Sequence, residues 1–252
     1  PGHWALLRDI LRFNREAPAL LDSEAGETPL GEYLREHGYG ERFRRHYILP
    51  MGGAIWSCSL AQMEAFPARF FVRFFINHGL LALRDRPQWY VVPGGSSQYV
   101  EALRSACAAR FHTATPVSEV RRDNDGVTLQ AGGESRRFDQ VVLACHSDQA
   151  LALLGDADQR EQQCLADLRY QANEVVLHTD TDMLPRRRRV WSSWNALLGR
   201  TGDAEPVQVT YNMNILQGFA APETFCVTLN AGDRIRPETV IRRQVFDHPL
   251  FT

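Results

Sequence analysis

The sequence predicts an α+β fold: a helical subdomain joined to an antiparallel or mixed β-sheet. Three observations predict it. Amphipathic runs with helical spacing fill roughly the first 80 of 252 residues. A strand–hairpin–strand block with strong turn signals follows, from Pro116 to Ala144. Four strand-like runs separated by turns occupy the last third.

The helical part begins with Trp4, Leu7, Ile10, Leu11 and Phe13, spaced for a helix over His3–Ala17. A second helix is expected after Thr28-Pro29, with Thr28 as N-cap and Gly38 as its stop. Glu41 to Tyr47 reads as a third, and Pro50-Met51-Gly52-Gly53 as a break. A fourth opens at Phe66-Pro67, is dense in phenylalanine (Phe70, Phe71, Phe74, Phe75) and ends at His78-Gly79.

Arg86-Pro87 changes the texture. Trp89 to Val92 is β-prone, Gly94-Gly95 makes a turn, and Tyr99, Val100, Leu103 and Ala106 mark one face of a helix. Pro116 to Val120 reads as a strand, with Asp123-Asn124-Asp125-Gly126 as a hairpin turn and Ala131-Gly132-Gly133-Glu134 as another. Phe138 to Ala144 is almost wholly apolar, which suggests a strand buried on both faces. Helices are expected over Ser147–Leu154 and Asp158–Leu168. Strands are expected at Asn173–His178, Arg189–Trp194, Val207–Asn212 and Thr224–Leu229.

A net charge of -2 gives no field for nucleic acid, and no 18-residue apolar run suggests a transmembrane segment. Five separated cysteines without C-x-x-C spacing read as reduced thiols, hence a cytoplasmic setting. No metal site and no G-x-S-x-G nucleophile elbow occur in the sequence. All 28 basic residues are arginine, so no mechanism drawn from this chain uses a lysine. Arg186 to Arg189 reads as a solvated turn. The chain opens at Pro1 without methionine, which fits a fragment, a processed chain or an expression boundary.

The order Val91-Val92-Pro93-Gly94-Gly95-Ser96, helix, Pro116-Val117, hairpin, Val141-Val142-Leu143-Ala144-Cys145-His146 resembles the internal portion of flavin-containing amine oxidoreductases. Ile48-Leu49-Pro50-Met51-Gly52, Asn77-His78-Gly79 and Asp247-His248-Pro249-Leu250-Phe251 resemble a bacterial subgroup of predicted NAD/FAD-binding proteins in that superfamily. The resemblance implies a flavin oxidoreductase substrate domain with part of the FAD-binding domain. Residues 1–93 would be the helical part of the substrate domain, 94–146 would contribute to the FAD-binding domain, and 147–252 would return to substrate-domain helices and sheet. The G-x-G-x-x-G fingerprint and the family's C-terminal flavin segment are not in the sequence.

On this resemblance FAD is the cofactor of the complete protein. Val117 is the expected adenine contact, and Gly94, Gly95, Ala144 and Cys145 are expected flavin neighbours. His146 reads as a strand-end residue. Trp56, Phe74 and Tyr211 are candidates for lining a pocket for a small, hydrophobic substrate. No residue is singled out as a catalytic acid or base. The implied function is hydride transfer from substrate to flavin by the parent protein. The alternative is a non-catalytic hydrophobic-ligand-binding or structural module without flavin.

Overall fold

The computed structural model describes residues 2–22, 28–197 and 205–250; Pro1 and Phe251, both singled out in the sequence, lie outside them. The chain forms two compact units. One contains the residues up to 98 and 171–248; the other contains 99–170 with Pro249 and Leu250.

The first unit starts with α1 (Gly2–Glu16), α2 (Leu30–Glu36) and α3 (Glu41–Phe43). Pro29, not Thr28, occupies the N-cap of α2, without a side-chain bond. The backbone does that work instead: the Leu30 N–H donates to the Phe66 carbonyl at 2.8 Å, and the Ala68 N–H to the Thr28 carbonyl at 3.1 Å. The expected break at Pro50 is also corrected. From α3 the chain passes through a wide π turn, Arg44–Ile48, straight into α4 (Leu49–Trp56). Pro50 falls in the first turn of α4, where its missing N–H costs nothing. Gly52 and Gly53 serve close packing there, because a Cβ on Gly53 would collide with Val207 and one on Gly52 with Met63.

α5 (Leu60–Ala65) carries a reciprocal capping box between Ser59 and Gln62. α6 (Ala68–Asn77) buries Phe71, Val72 and Phe75 and stops before Gly79, whose φ is +64°. Phe13, Leu34, Phe43, Met63, Phe71 and Phe75 are fully enclosed and form the interior of this helical part.

The second unit opens with α7 (Ser97–Ala106), which buries none of its residues. β1 (Val117–Asp123), β2 (Gly126–Ala131) and β3 (Glu134–Phe138) follow as a three-stranded antiparallel sheet in that order. α8 (Ser147–Leu153) packs on β1, and α9 (Gln159–Ala166) packs on α8. Arg122 of β1 holds this arrangement: its Nε donates to Asp156 at 3.0 Å and its Nη2 to Glu161 at 2.8 Å. Those bonds lower the Asp156 carboxyl pKa and bring that of Glu161 down to about 2.

The chain then returns to the first unit as β4 (Arg169–His178), β5 (Trp194–Leu197), β6 (Gln208–Asn212), a short α10 (Met213–Gln217), β7 (Cys226–Leu229) and β8 (Val240–Leu250). The strand order is β5-β6-β7-β4-β8. The β5–β6, β6–β7 and β7–β4 pairs are antiparallel. The observed composition is α+β, as the sequence predicts. The strand expected at Arg189–Trp194 lies further on, at Trp194–Leu197, because Arg188–Val190 turns as a 3₁₀ helix over the Trp191 ring. Among the described residues no helix is long and apolar enough to cross a membrane.

Candidate functional site

In the second unit, β1 is an edge strand. Its outer side is met at Val120, where the Gly155 N–H donates to the Val120 carbonyl at 2.9 Å and Leu154 forms an isolated bridge. Val117 is half-buried at the start of the same strand, beside a bulge between residues 117 and 119. A bulge turns a backbone N–H and C=O away from the ladder. Val117 therefore combines an apolar side chain with main-chain groups on an open sheet edge, the combination that can cover and pair with a flat heterocycle.

The segment 139–146 leads into α8, the helix packed on β1. The strand expected over Phe138–Ala144 is corrected: β3 ends at Phe138, and residues 140–144 form no strand and have no sheet partner among the described residues. Val142 is 87% exposed, and Ala144 and Cys145 are exposed as well. His146 stacks on Tyr170 with ring centroids 4.4 Å apart, and its Nδ1 is buried without a hydrogen-bond partner. The Tyr170 hydroxyl accepts the Ser147 N–H at 2.9 Å, so the first turn of α8 is held by a side chain from outside it.

Gly94 and Gly95 belong to the first unit. Their φ angles are +80° and +87°, and a Cβ on Gly95 would meet nothing within 4 Å. Glycine is needed there for the backbone conformation. The Trp89–Val92 segment before it forms no strand among the described residues.

Within the second unit, the bulged edge at Val117 is compatible with a flat cofactor ring. Within the first, the Gly94-Gly95 turn carries no side chain that would block the approach of a ligand.

The pocket candidates lie in the first unit. Trp56 at the end of α4 and Phe74 of α6 stand 4.8 Å apart between ring centroids. Phe66 approaches Trp56 at 4.7 Å, and Phe74 stacks on His78 at 3.9 Å. Helical spacing brings Phe70 and Phe74 to one side of α6, Phe66 stands in the turn before it, and the Trp56 ring packs against all three. Tyr211 sits elsewhere, on β6, edge-on to Trp194 at 4.9 Å and against the Ala54–Val207–Val209 cluster. Burial raises its hydroxyl pKa.

Burial also pushes the Cys58 thiol up to about 11 and the Cys226 thiol up to about 12. Both stay protonated near neutral pH, so neither is an activated nucleophile. Among the described residues no group of His, Cys, Asp and Glu is placed to hold a metal ion.

Sequence reasoning missed a buried polar chain across the five-stranded sheet. The Asp180 N–H donates to His178 Nδ1 at 3.0 Å, which leaves the hydrogen on Nε2 to reach Thr228 Oγ1 at 2.7 Å. Thr228 and Thr210 hydroxyls are 2.8 Å apart, and Asn195 donates to the Thr210 carbonyl at 3.2 Å. The only local signal was a polar residue at alternate strand positions.

A sequence model of the family described as flavin containing amine oxidoreductase matches residues 9–239. No curated protein matches the sequence. Among solved structures, the chain is similar to a putrescine oxidase bound to putrescine, with 14% identity and a TM-score of 0.62 over 95% of this chain and 61% of that one. It is similar to cyclohexylamine oxidase from Brevibacterium oxydans, with 16% identity and a TM-score of 0.61 over 95% and 60%. It is also similar to a fatty acid isomerase from P. acnes, with 15% identity and a TM-score of 0.56 over 89% and 55%. At these identities the likeness is one of fold. The chain spans 55–61% of the length of these three structures.

Proposed function

This chain belongs to the flavin-containing amine oxidoreductase family, and from that premise we propose that it is the substrate-domain portion, with part of the FAD-binding domain, of an FAD-dependent oxidoreductase. The observation that carries this reading is the unfinished surface of the second unit. Tyr99, Val100 and Leu103 lie exposed on one face of α7, and Val142 is exposed on an unpaired apolar segment. A run that apolar is ordinarily buried, and paired as a strand it would be covered on both faces. A dinucleotide-binding β-α-β unit would supply both the missing strand partners and the cover for α7.

Within this reading Val117 bears on the adenine. On the same reading Ala144 and Cys145 neighbour the flavin's phosphate and ribose, and the Gly94-Gly95 turn lets the backbone approach closely. When bound, FAD supplies a two-electron acceptor at N5 of its ring system. The chain's own contribution is placement and dryness. Trp56 and Phe74 form an aromatic wall that orients an apolar substrate and keeps water from the reacting C–H bond. No lysine of this chain can hold a water in the scheme. The fold is shared with amine oxidases and with a fatty acid isomerase alike, and the aromatic wall favours the apolar class of substrate.

The test is anaerobic mixing of the longest natural polypeptide containing these residues with amines on one side and long-chain apolar substrates on the other. Bleaching of the flavin band by an apolar substrate, reversed by an electron acceptor, is the expected result. Flavin that no substrate of either class reduces would refute the oxidation step.

A further inference from the structure

A groove along α1 lies outside the flavin reading and does not depend on it. α1 turns Phe13 and Asp9 inward but leaves Trp4 78%, Leu7 50% and Leu11 52% exposed. Leu83, 62% exposed, joins them. With Ile10 these side chains line a groove of about 670 Å³, inside the roughly 300–1,000 Å³ range of small-molecule sites.

Arg8, Arg12 and Arg15 line the same groove. Their i, i+4, i+7 spacing sets them in a row along one side of the helix, beside the Trp4–Leu7–Leu11 stripe. The carboxylates facing them are Asp9 and Glu16. One Asp9 oxygen accepts the Gly40 N–H at 2.9 Å; the other stands 3.7 Å from Arg8 and 4.0 Å from Arg12, too far for a hydrogen bond. Glu16 is taken by Arg15 at 2.8 Å. Arg12 lies 4.0 Å over the Tyr39 ring, and its Nε and Nη2 are buried without a hydrogen-bond acceptor, so Arg12 adds charge beneath the rim while Arg8 and Arg15 present exposed guanidinium groups at it. Three guanidinium groups against two carboxylates leave the rim positive.

An apolar trough with a guanidinium row along its edge matches one ligand chemistry. We propose that this groove binds a single long-chain carboxylate, with its alkyl tail against Trp4, Leu7, Leu11 and Leu83 and its head group on the arginine row. A neutral hydrocarbon would leave the arginines without a partner. A second copy of the chain would bring one positive row against another. A flat bilayer does not fill a concave trough.

Bromine atoms quench indole fluorescence on contact, so dibromostearate titrated into the longest natural polypeptide reports through Trp4. We expect saturable quenching that disappears in Trp4→Phe. The exposed double variant Arg8→Gln/Arg15→Gln is expected to weaken binding about tenfold or more, because charge-assisted bonds are lost. Each methylene removed from an unbrominated competitor should cost about fourfold in affinity, and the methyl ester should compete at least tenfold less well than the acid. Unchanged thermal unfolding of the variants shows that they remain folded. No saturable Trp4 quenching overturns the proposal, as do equal binding of acid and ester, quenching by anionic vesicles alone, or a dimer whose dissociation is needed for binding. The readout involves no flavin, so its failure leaves the oxidoreductase reading standing, and a protein without flavin leaves this test intact.

Discussion

Replacing Phe71 by alanine is expected to destabilise the protein by about 3–5 kcal/mol, lowering its thermal midpoint by roughly 10 °C. The side chain is fully enclosed and stacks on Phe75 with ring centroids 4.1 Å apart. It also lies under Trp56, at 5.8 Å, and beside Gly52 of α4, where a Cβ would stand 3.0 Å from its ring. A helix that comes this close cannot collapse into the space left by the ring without moving Met63 and Val207 with it. The cavity would therefore persist, and most of the transfer and packing loss would be felt. If Trp56 and Phe74 line the proposed substrate side, Phe71 backs that wall, and its loss would admit water there. Phe74→Ala removes a half-buried ring and is expected to cost less stability than Phe71→Ala. Denaturant titration of both variants, with the slope compared to that of the parent, checks the ranking.

Replacing Asp180 by alanine is the second large effect, about 2–4 kcal/mol. Its side chain is 1% exposed. It accepts hydrogen bonds from the Asp182 N–H at 3.0 Å, the Arg236 N–H at 3.0 Å and the Arg236 guanidinium at 2.8 Å. The Arg236 bond, first of all, holds the Asp180 carboxyl down to about 2. Arg236 is half exposed and regains water when the pair is broken, which keeps the loss below that for a wholly buried pair. The backbone N–H groups have no such recourse.

The pH dependence has a definite sign. Asp180 ordinarily titrates near 3.9, so its stabilisation is complete above about pH 4 and is lost as pH falls toward 2. His178 adds to the acid slope. Burial lowers its pKa against the opposing pull of Asp180, so the unfolded chain binds that proton first as pH drops below about 6.5. Stability is expected to fall from pH 7 to pH 5 in the parent and to fall less in His178→Gln, measured by urea unfolding at each pH. Asp182→Ala, at an exposed carboxylate 4.0 Å from Arg236, is expected to change stability by less than about 0.5 kcal/mol.

What was legible in the sequence follows a physical line. Hairpins at Asp123–Gly126 and Ala131–Glu134 were readable because turn geometry is a local demand, met by Gly126 at φ +150° and by Gly132 and Gly133 at +59° and +82°. α6 was readable because its buried phenylalanines recur at helical spacing. Local chemistry misled at Pro50-Met51-Gly52-Gly53, where the same glycines serve a turn or a close helix contact and only the neighbours Met63 and Val207 decide. It misled again at Phe138–Ala144, where an apolar run becomes a strand only if partners flank it. β8 was missed because Arg242, Arg243 and Asp247 hide an edge strand whose side chains face water; Arg243 is fixed by Glu174 at 2.8 Å, 69 residues away. The His178–Thr228–Thr210 chain was invisible for the same reason: its members lie 18 to 50 residues apart and mean nothing singly. Of the candidate pocket, the sequence names Trp56, Phe74 and Tyr211 singly; the Trp56–Phe74 pairing comes from helix packing, and Tyr211 is placed by strand register.

The measurement that bears most directly on the central claim is the flavin content of the longest natural polypeptide that contains these residues. Purified, denatured and assayed, it is expected to release one FAD per chain, and Val117→Asp is expected to lower that occupancy while leaving the thermal midpoint of the apoprotein unchanged. A colourless protein that takes up no FAD on titration would contradict the account.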